Sequence, residues 1–231
     1  MFKKQILLQI FLVTVTGMLQ AQDINQLVAN AKAKLSKVND YEAKGRMKTN
    51  VTFLKVPVAN VKVYFKAPAK MKIKSEKGVS FVPKGAVSIN AGGALGGNGY
   101  TIIDAGTDKV GNTIVRVAKL LPLDENSDVV LSTVYIDPIT SLILKSRTTT
   151  KENGTFELEM TFGRYADFAL PDKVVFSFNT KDYKLPKGVT FDFDDGSTVT
   201  QANKEKRKKG RAEITFSNYI INKGVSDTVF M

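Results

Sequence analysis

The chain has 231 residues, 34 Lys and Arg against 22 Asp and Glu for a formal net charge of +12, and neither histidine nor cysteine. Without imidazole or thiol there is no Ser-His-Asp or Cys-His catalysis, no disulfide and no ordinary zinc site, because those chemistries need a base titrating near neutrality or a soft ligand. Most hydrolase and metalloenzyme classes are excluded, and the expectation is a non-enzyme with no metal and no cofactor.

The N-terminus reads as an export signal. Lys3 and Lys4 precede the apolar run "QILLQIFLVTVTGML", and the small residue Ala21 follows within "QAQ". A basic start, a short apolar core and a small residue form a secretory signal peptide, here cleaved after Ala21. The run is short for a membrane span; the competing reading, an uncleaved anchor, rests on Leu19, a larger residue than a cleavage site prefers. Residues 22–231 then form one exported domain with a sizeable core. Loss of Lys3 and Lys4 leaves a charge of +10. In an exported chain that charge points to phospholipid head groups or an acidic docking surface, and not to nucleic acid.

An amphipathic helix opens the mature region. Asp23 is its expected N-cap, Gln26 stands three residues on as in a capping box, and apolar residues recur at Ile24, Leu27, Val28, Ala31, Leu35 and Val38. Near Asn39 and Asp40 the period changes to two. From Tyr41 to Phe53 the odd positions read Tyr, Ala, Gly, Met, Thr, Val, Phe and the even ones are polar, which predicts one thirteen-residue strand. A ribbon of about 43 Å must twist and curl. The alternation returns in "NVKVYFKAP" and in "KMKIKS", where Met71 and Ile73 oppose three lysines.

Residues 78–126 read as a loop-rich middle. Its stretch "INAGGALGGNGY" contains Gly92, Gly93, Gly96 and Gly97, but no lysine follows the last glycine as a Walker cradle requires, and no βαβ unit surrounds it. Two readings stay open: a disordered surface loop, or a flap over the sheet in which glycine lets the backbone swing while Leu95 and Tyr100 supply something to bury. Leu120 and Leu121 of "VAKLLPL" would form another part of such a cover.

Alternation is clearest in "TFELEMTF" and continues in "KVVFSFN", "GVTFDFDDG" and "RAEITFSNYI", with hairpin signals at Glu152-Asn153-Gly154 and Asp194-Asp195-Gly196. Glu157 and Glu159 share the wet face of one strand and read as surface, not as an acid–base pair. Asp192, Asp194 and Asp195 lack the EF-hand pattern and read as a turn. The run "KEKRKKGR" holds Lys204, Lys206, Arg207, Lys208, Lys209 and Arg211. It is either a solvated hairpin tip or a docking site for anionic lipid. Nucleic acid would want interleaved aromatics or a recognised module.

The sum is a mainly β chain of about ten antiparallel strands and one helix, forming a large curved sheet whose concave apolar face must be covered. The export signal, the helix ending "AKLSKVNDYEAKG", the strand running into "VYFKAPAKMKIKS", the hairpin "IDPITSLILKSRT", and the segments "GRYADFALPDKVVF" and "ITFSNYIINKGVSDTVF" resemble the periplasmic lipoprotein carriers of the LolA type. The resemblance implies an unclosed antiparallel β half-barrel with the helix and a lid segment over its mouth. It also implies a hydrophobic cavity for lipoprotein acyl chains, an inner-membrane transporter that loads it and an outer-membrane acceptor that unloads it, with the carrier acting as a monomer. One departure stands out: an arginine that latches the lid in the best-known carriers is Ala67 here, beside Lys66.

On that implication the dry strand faces become candidate cavity walls. They are Met47, Val61, Val63, Phe65, Met71, Ile73, Phe156, Leu158, Met160, Phe162, Val174, Phe176, Phe178, Ile214 and Phe216. Ordinary core is the competing reading of the same positions. At the level of function the two expectations are a lipid carrier and a non-catalytic sensor or scaffold with a filled core that binds a protein or an anionic membrane.

Overall fold

The computed structural model describes residues 23–51, 54–55, 58–68, 70–76, 95, 99–152, 154–179 and 209–231. Among these residues the helix α1 (Ile24–Leu35) precedes eleven strands: β1 (Asp40–Val51), β2 (Leu54–Lys55), β3 (Ala59–Lys66), β4 (Lys70–Ser75), β5 (Tyr100–Val110), β6 (Thr113–Pro122), β7 (Val129–Ile136), β8 (Ile143–Thr150), β9 (Gly154–Thr161), β10 (Lys173–Asn179) and β11 (Lys209–Ile221). Ten form one sheet in the order β4-β3-β1-β11-β10-β9-β8-β7-β6-β5, with the two-residue β2 paired to β1 off this path. Each recorded pairing is antiparallel. The sheet does not close: β4 and β5 are its two ends.

The helix is capped more simply than the capping-box pattern suggests. Asp23 Oδ1 accepts from the Asn25 backbone N–H at 3.1 Å, while the Gln26 side chain donates forward to Asn30 Oδ1 at 2.9 Å and not back to the cap. Lys32 and Lys34 occupy the last turn, where their charge complements the helix dipole. The apolar face, Ile24, Leu27, Val28 and Ala31, is buried, and α1 lies against β5, β6, β7 and the 3-10 turn Ala166–Phe168.

Period two is the cause of the sheet's one-sidedness. In β1, Tyr41, Ala43, Met47 and Thr49 are buried, while Lys44, Arg46 and Lys48 between them face solvent. A bulge resets this phase in β11: Lys44 pairs with Asn218 but Gly45 with Phe216, leaving Ser217 as the extra residue, its Oγ donating to Lys44 O at 3.1 Å. The inward set passes from Ile214 and Phe216 to Tyr219, and the strand bends there. Glycine is required opposite the bulge, because a Cβ on Gly45 would stand 2.8 Å from the Thr215 carbonyl oxygen.

The loop-rich reading of residues 78–126 is corrected over 100–122, which form the long β5–β6 hairpin turned at Gly111 with φ 59°. Two features hid it. β5 is an edge strand exposed on most of both faces, so it has no dry face to alternate. In β6 a bulge near Asp104 and Thr107 of its partner makes the adjacent Val117 and Ala118 both buried, which breaks the period. Leu120 therefore lies on the buried face of β6 and Leu121 on its exposed face.

The register gives the sheet two distinct ends. At one, α1 enters β1, and the 137–142 turn, the 162–172 connection and the C-terminal segment gather. Asn222 Oδ1 accepts from Asn39 N at 2.8 Å, and Asp227 bridges Lys66 at 2.8 Å and Lys70 at 2.9 Å. Hydrogen bonds from Lys66 and Lys70 hold the Asp227 carboxyl down at about 2. Ala67 sits exposed at this end, its N–H donating to Asn39 O at 2.7 Å. At the other end β1, β4 and β10 finish and β3, β5 and β11 begin.

The concave face as a candidate lipid site

All fifteen candidate wall residues lie in one apolar cluster or against it. Met47, Val61, Val63, Phe65, Phe156, Leu158, Met160, Val174, Phe176, Phe178, Ile214 and Phe216 are buried within it, and Met71, Ile73 and Phe162 pack half-buried on its margin. Cross-strand pairing brings them together: Val63 is opposite Ile73, Phe65 opposite Met71, Phe176 opposite both Leu158 and Ala212, and Met47 opposite Ile214. The face is continuous from β4 to β7, and α1 lays Leu27 and Val28 into the same cluster.

Aromatic side chains mark both ends of this floor. Where α1 enters, Tyr41 stacks on Phe65 at 5.3 Å, and Tyr219 meets Tyr41 at 5.3 Å, Phe216 at 5.0 Å and Tyr165 at 5.0 Å. The Tyr219 hydroxyl donates to Pro171 O at 2.7 Å, tying the 162–172 connection over the cluster. Burial pushes the phenols of Tyr41 and Tyr219 well above the ordinary tyrosine value, since an apolar surrounding disfavours the phenolate. Toward the other end Phe176 lies 5.5 Å from Phe156 and 5.3 Å from Phe178. Phe178 fills the space above Gly210, where any side chain would run into its ring.

Between the 169–171 connection and the sheet lies a cavity of about 20 Å³, bordered by Tyr41, Val63, Ile73, Met160, Leu170 and Phe216 among others. That is room for about one water.

Alternation did not reveal a polar strip on the same floor. Ser146 and Thr148 point inward from β8, opposite Leu158 and Phe156 of β9, and Ser132 faces inward from β7. Ser132 and Thr148 share a hydrogen bond of 3.1 Å, whereas the buried Ser146 hydroxyl has no partner among the described residues. The signal was present in "LSTVYI" and "LKSRTTT", where hydroxyl residues occupy the inward phase, but a polar letter does not read as dry.

The other candidates divide. Leu95 is buried at 1% exposure in the cluster, and Tyr100 is half-buried with Lys32 Nζ 5.7 Å from its ring centre. Gly92, Gly93, Gly96 and Gly97 lie outside the described residues, as do Asp192, Asp194, Asp195, Lys204, Lys206, Arg207, Lys208 and the export signal. Lys209 and Arg211 belong to β11 and not to a hairpin tip; Arg211 is exposed, with Nη2 3.7 Å from Glu213. Glu157 and Glu159 stand on the outer face near Lys145 at 3.4 and 3.9 Å, the surface setting read from the sequence. Among the described residues no helix is long and apolar enough to cross a membrane.

Neither a protein-family model nor a curated protein matches the chain. Solved structures do. The chain is similar to a LolA superfamily protein from Nitrosomonas europaea, with 8% identity over 90% of this chain and 96% of that one at a TM-score of 0.57. It is similar to a DUF1329 family protein from Desulfovibrio piger, with 12% identity over 90% and 97% at 0.54. A candidate outer membrane lipoprotein-sorting protein domain from Vibrio parahaemolyticus matches with 13% identity over 89% and 94% at 0.51. At such identities the likeness is one of architecture, and the chain has the LolA-like fold: an unclosed antiparallel β-sheet curved around one apolar face.

Proposed function

We propose that this protein is a periplasmic carrier that holds the acyl chains of lipoproteins or other lipids against its concave face for transfer toward the outer membrane. The observation that supports this most is the cover: among the described residues, the apolar floor is overlaid by the twelve-residue helix α1, Leu95 and the 162–172 connection and not by a second sheet. The fold is shared with a candidate lipoprotein-sorting domain, which favours the same reading.

Ligand pockets usually measure roughly 300–1,000 Å³, so the cavity of about 20 Å³ is too small for an acyl chain, and α1, whose apolar face packs in the same cluster, is the element whose displacement would bare more of the floor. The exchange favours the cargo. Withdrawing Ile24, Leu27 and Val28 from the floor costs about 1.5–3 kcal/mol each. An acyl chain of about fifteen methylenes regains about 12 kcal/mol at ~0.8 kcal/mol per CH₂. No catalytic group is needed. An inner-membrane transporter and an outer-membrane acceptor would load and unload it, each by biasing α1 between its two positions.

The burial of the described floor residues favours the second reading, a scaffold of the same fold that binds a partner through its surface. Thermal unfolding with fatty acids of increasing chain length separates the two. A carrier gains stability as RT ln(1 + [L]/Kd), with Kd falling as methylenes are added. A filled scaffold shows a Tm independent of chain length.

A further inference from the structure

The outer face of the sheet carries charge in two different arrangements. Over β8 to β11 opposite charges meet: Lys145 lies 3.4 Å from Glu157, Arg147 3.7 Å from the same carboxylate, and Lys173 2.9 Å from Glu213. Over β1, β3 and β4 lysine faces lysine. Lys44 stands directly opposite Lys62, and Lys62 directly opposite Lys74, a row of three across three neighbouring strands. Farther along, Lys66 is opposite Lys70. Arg46 and Lys48 continue the outward side of β1.

Few anions answer this array. Glu42 lies 3.7 Å from Lys62, and Asp227 is already shared between Lys66 and Lys70. Lys48 stands opposite Glu213, whose carboxylate is engaged by Lys173, while Lys44, Arg46 and Lys74 form no ion pair among the described residues, and the Lys74 ammonium instead lies over the half-buried Tyr64 ring at 5.6 Å. Like charges directly opposite one another on a sheet destabilise it. The same chain avoids that arrangement over β8 to β11, so the lysine row is a local feature and not a consequence of composition.

We propose that the outer face of β1, β3 and β4 docks on an anionic phospholipid surface. A protein partner would want an apolar or aromatic centre with few lysines, and no described residue of these strands is a large exposed apolar side chain. Lysine is a mobile, strongly hydrated point charge that reads no fixed geometry, unlike the planar fork of arginine. Such an array suits a diffuse sheet of negative head groups, whose potential draws in basic surfaces within a Debye length. The face lies on the opposite side of the sheet from the apolar floor, and the inference stands whether or not that floor holds lipid.

The test is co-sedimentation of the protein with vesicles of phosphatidylcholine alone or with about 30% phosphatidylglycerol, at salt concentrations from about 0.1 to 0.5 M. Lys44→Gln, Lys62→Gln and Lys74→Gln are combined in one variant, which removes charge without introducing new repulsion. The expected result is salt-sensitive binding to the anionic vesicles only. The triple variant should bind on the order of 100-fold more weakly, at roughly fivefold for each cation lost, with a Tm no lower than the parent's. Absence of binding to the anionic vesicles, equal binding to both vesicle types, or full retention by the variant overturns the proposal. Capture by polyglutamate without vesicle binding also overturns it and assigns the face to an acidic protein.

Discussion

Gly45 shows how much one residue carries in this sheet. It sits opposite the Ser217 bulge, where the chain bends and the inward phase of β11 resets, and a Cβ there would stand 2.8 Å from a backbone oxygen that cannot rotate away. Gly45→Ala should therefore cost about 1–3 kcal/mol, the range for overpacking a fitted site, read as a lower urea midpoint with unchanged slope. Tyr41 and Tyr219 make a second prediction. Their phenols are raised by burial, so the folded state holds those protons above the ordinary tyrosine value of 10.0 while the unfolded chain releases them. Their contribution is complete below pH about 10 and declines as pH rises past it. Alkaline titration should show tyrosinate absorbance growing together with loss of the fold. Normal titration of every tyrosine in a folded protein would contradict the packing described.

At the scale of the element, α1 is the part whose behaviour decides function. Leu27 is fully buried, and Leu27→Ala should cost about 2–5 kcal/mol of stability. If α1 is a removable cover, the same change makes acyl ligands bind more tightly, because less apolar contact is given up on opening. In a filled scaffold only the stability falls, so urea unfolding and fluorescent fatty-acid titration of one variant tell the readings apart. The sequence was legible wherever an element had one wet and one dry side: α1, β1, β3 and β9 follow from their periods because each is packed on one face only. β5 was not, since an edge strand exposed on both sides has no pattern, and β6 lost its pattern at a bulge set by its partner. The inward hydroxyls of Ser132, Ser146 and Thr148 escaped for a related reason, because facing is a property of register and the letters suggest water.

On the scale of the whole molecule, the strands' inward residues were legible one strand at a time, but the volume they enclose was not. That volume is set by how α1, Leu95 and the 162–172 connection settle onto the floor, contacts made across long sequence separations. The resulting asymmetry is simple: one face apolar and covered by a helix, the other charged, with paired ions over β8 to β11 and a lysine row over β1, β3 and β4. A molecule so divided is suited to hold something greasy on one side while resting on something anionic with the other. The central claim is that the apolar side opens to hold a lipid chain. Native mass spectrometry of the protein purified without detergent from the cells that make it tests this most directly. The account predicts adducts whose extracted mass is that of an acyl lipid or lipoprotein, lost when Phe156→Glu is introduced into protein that circular dichroism shows still folded. A single unadorned mass, unchanged by added acyl compounds at concentrations where they raise no Tm, would contradict it.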